Sequence, residues 1–352
     1  MPNFPRPILA LTIILLAALG PFVDIQAALA QAADAPEIGD KSDQGNFEAW
    51  LVGVRAQARE KGISEATIKA ALSDLQPIPR IIELDRKQPE FTLTLTQYLN
   101  RVVPASRVKK GRQKLAENRE LLTALEAKYG VPGRYIVAFW GIETDFGRVS
   151  GGYSVVAALA TLAHDGRRSA YFRKELMNAL KIIDDGHITA DKMSGSWAGA
   201  MGQTQFMPSS FLSHATDYNG DNRIDIWNTR ADALASGANY LKKAGWNPDL
   251  TWGREVRLPE GFDTTLASKT NRLTLAQWHA LGVMRVDGSA LPLRDGIKGR
   301  IVLPESKKKG GPEGKTGRAF LVYDNFDVIL DWNRSNFFAI AVGQLADQIK
   351  TQ

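Results

Sequence analysis

Apolar residues recur at helical spacing over most of the chain. The pattern predicts helices from Phe47 to about Lys128, then over Ser154–Leu162, Ser169–Ile183, Ala231–Ala244 and Asn336–Ile349. Ser64 opens one run as an N-cap, and Glu117–Tyr129 closes at Gly130. Pro132-Gly-Arg starts a further helix through the apolar run Tyr135–Ile142. Gly195–Ser210 is too Gly-rich for a helix and too apolar for a linker. After Trp252 the texture changes. Arg254–Leu258, Gly299–Leu303, Arg318–Tyr323 and Phe326–Leu330 are short, alternating or β-branched, and bounded by Gly and Pro, so they read as strands. No internal repeat is visible. The predicted fold class is mainly α with a small β insert (α+β), the strand-rich insert covering about 253–331 of a region 46–350.

The N-terminus stands apart from this pattern. Arg6 is followed by the apolar run Ile8–Leu19, and Ala28-Leu-Ala30 offers a small-x-small cleavage site, so residues 1–30 read as a secretory signal peptide. An uncleaved anchor is the alternative, but the run is short for a membrane span. Residues 31–45 are polar and Ala-rich and read as a disordered leader. The chain has no Cys, which excludes disulfides, thiolate metal sites and a lipid-modified N-terminal Cys. A periplasmic, exported and soluble protein is expected. The signal holds one Arg and one Asp, so its removal leaves the formal net charge at +6. Such a charge suits anionic polymers or membrane surfaces. Nucleic acid is not expected, because no basic run is interleaved with aromatics. Lys307–Lys309 reads as a solvated loop tip.

Glu143 carries the candidate chemistry. On a helix, Phe139, Trp140 and Phe146 fall on its face, four before, three before and three after it. An acid among aromatic side chains loses hydration, and desolvation favours its protonated form. A carboxylic acid that is neutral near pH 7 can act as a general acid. Gly147 leaves one flank bare, open to a bulky group. The competing reading is a structural Glu buried against an Arg or a backbone amide, with Arg148 nearby. Asp145, two residues on, points to the other side of a helix and suits a local salt bridge or cap. In Gly195–Ser210, Ser196 and Gln205 flank bare glycines and read as one wall of a ligand site, or else as a buried helix crossing.

Gly141-Ile-Glu-Thr-Asp-Phe-Gly147 and Ser196-Trp-Ala-Gly-Ala-Met-Gly-Gln-Thr-Gln-Phe-Met-Pro-Ser-Ser210 together resemble the membrane-bound lytic murein transglycosylase B family of bacterial cell-wall enzymes. The likeness continues through Asp217-Tyr-Asn-Gly-Asp-Asn-Arg-Ile-Asp-Ile-Trp227 to Asp331-Trp-Asn-Arg-Ser335. It implies a lysozyme-like core with a helical and a small β domain. It also implies cleavage of the MurNAc–GlcNAc β-1,4 bond of peptidoglycan without water, leaving a 1,6-anhydro sugar. Glu143 would then be the single catalytic acid/base. Ser196, Gln205 and Asn333 would contact the glycan, with Tyr98 as a further active-site match. Trp332 stands where related chains often have Tyr, and it is read as a stacking contact. A one-acid route needs no second carboxylate, unlike the paired-acid glycosidases.

Asp217-x-Asn219-x-Asp221-x-Arg223-x-Asp225 has the alternate oxygen spacing of a calcium loop, with Asp232 the next carboxylate. Asn222 stands where such a loop wants Gly, and Asn228 where it wants Glu. The metal set is therefore Asp217, Asn219, Asp221, Arg223 and Asp232, holding a structural calcium or sodium ion. The same residues also suit an Asx-rich turn. No cofactor is expected for the chemistry. Gly310–Thr316 looks like a phosphate loop but has Lys309 where the first Gly belongs. The expected function is a lytic transglycosylase acting on glycan strands. It is expected to act as a monomer, with cell-wall synthesis or remodelling proteins as partners. A hydrolytic muramidase and a non-catalytic peptidoglycan-binding protein are the alternatives.

Overall fold

A helix that is apolar on all sides has to be surrounded by protein, and the fold is organised around one. The computed structural model describes residues 47–86, 93–292, 294–305 and 317–350. The signal peptide, the leader, Lys307–Lys309 and Gly310–Thr316 lie outside the described residues. Fourteen helices occur among them. The first six are α1 (Phe47–Glu60), α2 (Glu65–Leu72), α3 (Pro79–Arg86), α4 (Leu95–Val102), α5 (Ala105–Glu117) and α6 (Arg119–Tyr129). The predicted helix Glu117–Tyr129 is thus broken at Asn118, which ends α5 and precedes α6.

The central helix is α7 (Gly133–Thr144), and every residue of it except Arg134 is buried. It is followed by α8 (Val155–His164), α9 (Ser169–Asp184), α10 (Pro208–His214), α11 (Arg230–Lys243), α12 (Leu275–Ala280), α13 (Asp324–Trp332) and α14 (Asn336–Ile349). Helices α5, α6, α11 and α14 pack around α7. Gly133 leaves room for Leu122 on α6, whose Cβ lies 3.0 Å from where a methyl group would stand.

A two-residue ladder joins β1 (Tyr153–Ser154) to β2 (Ser194–Gly195). The β insert is one antiparallel five-stranded sheet in the order β4-β6-β7-β3-β5. Its strands are β3 (Gly253–Arg257), β4 (Leu273–Thr274), β5 (Met284–Arg285), β6 (Lys298–Val302) and β7 (Ala319–Val322). It has its own apolar cluster around Trp278, Leu321 and Leu275. Three of the four predicted strands are therefore present, and the fourth is corrected. Phe326–Leu330 lies inside α13, where Asp324 and Asp327 occupy the first turn. Acids there favour a helix start, and a short apolar run does not distinguish helix from strand by periodicity. The short helix α12 was not legible as one; it opens with a capping box between Thr274 and Gln277.

Candidate functional site

The sequence places Phe146 one helical turn after Glu143, but α7 stops at Thr144. Asp145 and Phe146 both take left-handed backbone angles, φ 49° and 64°. The chain therefore doubles back, and Phe146 sits edge-on to Trp140, 5.7 Å between ring centres. A methyl group on Gly141 would stand 2.7 Å from the Phe146 ring, so this glycine makes the fold-back possible. Phe146 packs back on Gly141 and Trp140 and does not continue the helix one turn beyond Glu143. Gly147 is corrected too. A Cβ there would meet Gln203 Oε1 at 2.5 Å, so its bare flank accommodates a protein side chain. Asp145 behaves as expected of a surface acid, pairing with Lys110 and Arg148. Partial burial works against its charge, but the hydrogen bonds from Arg148 and Lys110 outweigh that and hold its pKa below the usual value.

Glu143 is wholly buried, at 0 % exposure. Its Oε1 accepts a 2.8 Å hydrogen bond from the indole Nε1 of Trp332, at the end of α13. The Trp332 ring is enclosed by Phe139, Phe206 and Tyr240, at centroid distances of 4.6, 5.2 and 4.9 Å. Trp332 is therefore a hydrogen-bond donor to the acid inside a protein-made cage. The sequence had suggested an open stacking platform, and the ring faces are occupied.

The wall loop is fastened to α7 by Trp140 and by two residues the sequence did not single out, Thr144 and Gln203. Thr144 Oγ1 donates to the Gln203 carbonyl at 2.8 Å, and Trp140 Nε1 donates to Gln203 Oε1 at 3.0 Å. Gln203 Nε2 in turn donates to the Trp227 carbonyl at 3.1 Å. Gly202-Gln-Thr-Gln205, with two amides two residues apart directly after a glycine, was the available signal. Bridges Gly195↔Met201 and Met201↔Phe206 make the loop a tight double turn. Within it Ser196 Oγ accepts from Ala200 N at 3.0 Å. Gln205, at φ 50°, donates from Nε2 to the Ser150 and Gly202 carbonyls. Its Oε1 has no hydrogen-bond partner among the described residues. Asn333 mirrors it: Oδ1 accepts from Ser335 N at 3.0 Å, while buried Nδ2 has no partner there. One acceptor and one donor are thus left for a ligand. Tyr98 is buried on α4 and packs against Phe337, 5.6 Å between rings, just beyond Asn333.

Behind Trp332, a small cavity is lined by Thr204, Ile136, Phe139, Leu234 and Gly237. A methyl group on Gly237 would lie 3.7 Å from both Thr204 Cγ2 and Trp332 Cη2, which is ordinary contact. Gly237 is in the interior of α11, where glycine is costly. Gly237→Ala is therefore expected to raise stability by about 0.5–1 kcal/mol, read as a higher midpoint in chemical denaturation.

The acidic loop is an Asx-turn network. Asp217 accepts from Gly220 N and Asn222 N at 2.7 and 2.8 Å, and Asp221 accepts from Arg223 N at 2.9 Å. Asn219 accepts from Asp221 N, and the Arg223 side chain pairs with Asp225. Buried Asp232 accepts from Tyr218 N and Asp225 N, both at 2.9 Å, and so clamps the loop through its backbone. Among the described residues no group of three or more His, Cys, Asp or Glu is placed to hold a metal ion. A cation at Asp217, Asn219, Asp221, Arg223 and Asp232 would have to compete with these amides.

Residues 46–347 match the family described as Transglycosylase SLT domain. The chain belongs to that family. It is 33 % identical over 234 residues to membrane-bound lytic murein transglycosylase B of Escherichia coli (strain K12), covering 63 % of this chain and 58 % of that protein. The match thus spans less than two thirds of that relative's length. SltB3 from Pseudomonas aeruginosa, solved with NAG-anhNAM-pentapeptide, is 43 % identical, with a TM-score of 0.81 over 87 % of this chain and 80 % of that one. Escherichia coli Slt35, solved with calcium, is 27 % identical, with a TM-score of 0.70 over 88 % and 94 % of the two chains. The predominantly helical fold with a small sheet is common to this family's structures.

Proposed function

We propose that this chain is a lytic transglycosylase that cleaves the MurNAc–GlcNAc β-1,4 bond of peptidoglycan and leaves 1,6-anhydro ends. The observation that carries the reading is the wholly buried carboxyl of Glu143, bonded to Trp332 among aromatic rings, whose sequence neighbour Asp145 is committed to Lys110 and Arg148. On this route one acid does both proton transfers. Glu143 gives its proton to the leaving O4 as the C1–O4 bond breaks. The substrate's own N-acetyl oxygen supports the cation at C1. The carboxylate then takes the proton of the 6-hydroxyl as O6 bonds to C1, and the acid is regenerated. The aromatic enclosure serves both steps by excluding water. Gln205 Oε1 and Asn333 Nδ2 are the groups available to hold the sugar and its acetamido arm, with Ser196 and Tyr98 completing the walls.

The anhydro sugar bound to SltB3 is the kind of product this route leaves, which supports the reading. No helix among the described residues is long and apolar enough to cross a membrane; export to the periplasm is proposed from the apolar N-terminal run Ile8–Leu19 and its small-x-small site. Cell-wall remodelling proteins are the proposed partners, with the chain acting as a monomer. The route passes no step through a cation. Mass spectrometry of digested wall tests it: fragments ending in anhydromuramic acid are expected, each one water lighter than the reducing-end form. Reducing ends alone would establish a muramidase instead.

A further inference from the structure

We propose that Trp332 is a positioning residue that dictates which oxygen of Glu143 carries the catalytic proton. The inference rests on Glu143 as the acid/base. An indole N–H only donates; it neither accepts nor gives up its proton at working pH. Glu143 Oε1 receives that donor at 2.8 Å and is therefore an acceptor in every protonation state of the carboxyl. A carbonyl oxygen accepts that N–H better than a hydroxyl oxygen does, so the bond favours the acidic hydrogen on Oε2.

The donor is also held rigidly. Its ring is set by Phe139 from α7, Phe206 from the wall loop and Tyr240 from α11. The Tyr240 hydroxyl donates to the Asp331 carbonyl at 2.8 Å, fixing the backbone just before Trp332. The carboxyl therefore cannot rotate to exchange its oxygens without losing this bond. For a single acid/base this matters twice. Oε2–H breaks as its proton passes to O4, and the same Oε2 recovers a proton from the 6-hydroxyl. Between the two events the N–H stabilises the carboxylate where water does not reach.

The sign of the expected pH effect follows. A donor to the charged form lowers an acid's pKa, so its removal raises it. In Trp332→Phe the alkaline limb of kcat should move to higher pH by about one unit. Maximal kcat should fall about tenfold, with KM changing less than about threefold. The second measurement needs no tryptophan variant. In the 15N-labelled full chain, the Trp332 indole N–H resonance should titrate with the midpoint of the activity limb. That titration should vanish in Glu143→Gln. A limb that stays in place in folded Trp332→Phe, or an indole resonance flat across it, overturns the proposal. If the Phe variant does not fold, the resonance decides alone. Persisting cleavage in Glu143→Gln would instead remove the catalytic reading, a distinguishable failure.

Discussion

Glu143→Gln is expected to lower glycan cleavage by about a thousandfold or more while leaving the protein folded. General acid–base steps contribute roughly 10²–10⁴-fold each when well placed, and on the proposed route one side chain performs two in succession. The amide keeps the shape of the carboxyl and an oxygen for the Trp332 N–H, so the buried bond at 2.8 Å is conserved. What it lacks is a transferable proton and a basic oxygen. Release of soluble muropeptides from purified wall reads the activity, and thermal unfolding controls for the fold. Binding to glycan strands should persist, since Gln205 and Asn333 are untouched. Cleavage within tenfold of the wild type would remove Glu143 from the chemistry. Undiminished binding with no cleavage in either protein would favour a wall-binding role.

How much of this was legible depended on the range of the interaction concerned. The Glu143 helix was visible because an apolar run with one acid at its end is a local pattern. The wall loop was visible because glycines three and four residues apart, followed by two amides, suit close backbone packing. The placement of Phe146 was not. It depends on two left-handed residues after Thr144, and helical counting cannot foresee where a helix stops. Gly147 failed for a similar reason, because Gln203 arrives from far along the chain. Trp332 meets Glu143 across 189 residues of sequence, and no spacing rule connects them. Residue type alone suggested stacking; only the packed structure shows the ring enclosed by Phe139, Phe206 and Tyr240 with its N–H on Glu143. Phe326–Leu330 was misread because Val and Ile suit a strand by propensity, while tertiary packing and Asp324 and Asp327 in the first turn made a helix. The acidic loop was recognised as a run of oxygen donors. Their bonds to backbone amides, at Asp217 and Asp232, form only in the folded loop and have no signature in the spacing.

Gly195→Ala is expected to be strongly damaging to the site. Its Cβ would stand 2.2 Å from the Ala200 carbonyl oxygen and 2.8 Å from Val155 Cγ2. The first obstacle is backbone, which cannot rotate aside as a side chain does. Ala200 O also accepts from Ser196 N at 2.8 Å, so its retreat would break the turn that carries Ser196. The opposite side is equally close, because a Cβ on Gly151 would come within 2.1 Å of the Gly195 carbonyl oxygen. Neither flank can absorb the displacement. Overpacking of this kind costs roughly 3 kcal/mol or more. The loop that survives should also sit about an ångström out of place, enough to reduce kcat/KM by about a hundredfold. Denaturant midpoints and muropeptide release, measured beside Gly237→Ala, separate the two sites. The same methyl group should stabilise at position 237, where its nearest neighbours are 3.7 Å away, and disable at 195. A Gly195→Ala protein with wild-type stability and cleavage would mean that the wall loop does not form the double turn on which Ser196 and Gln205 depend.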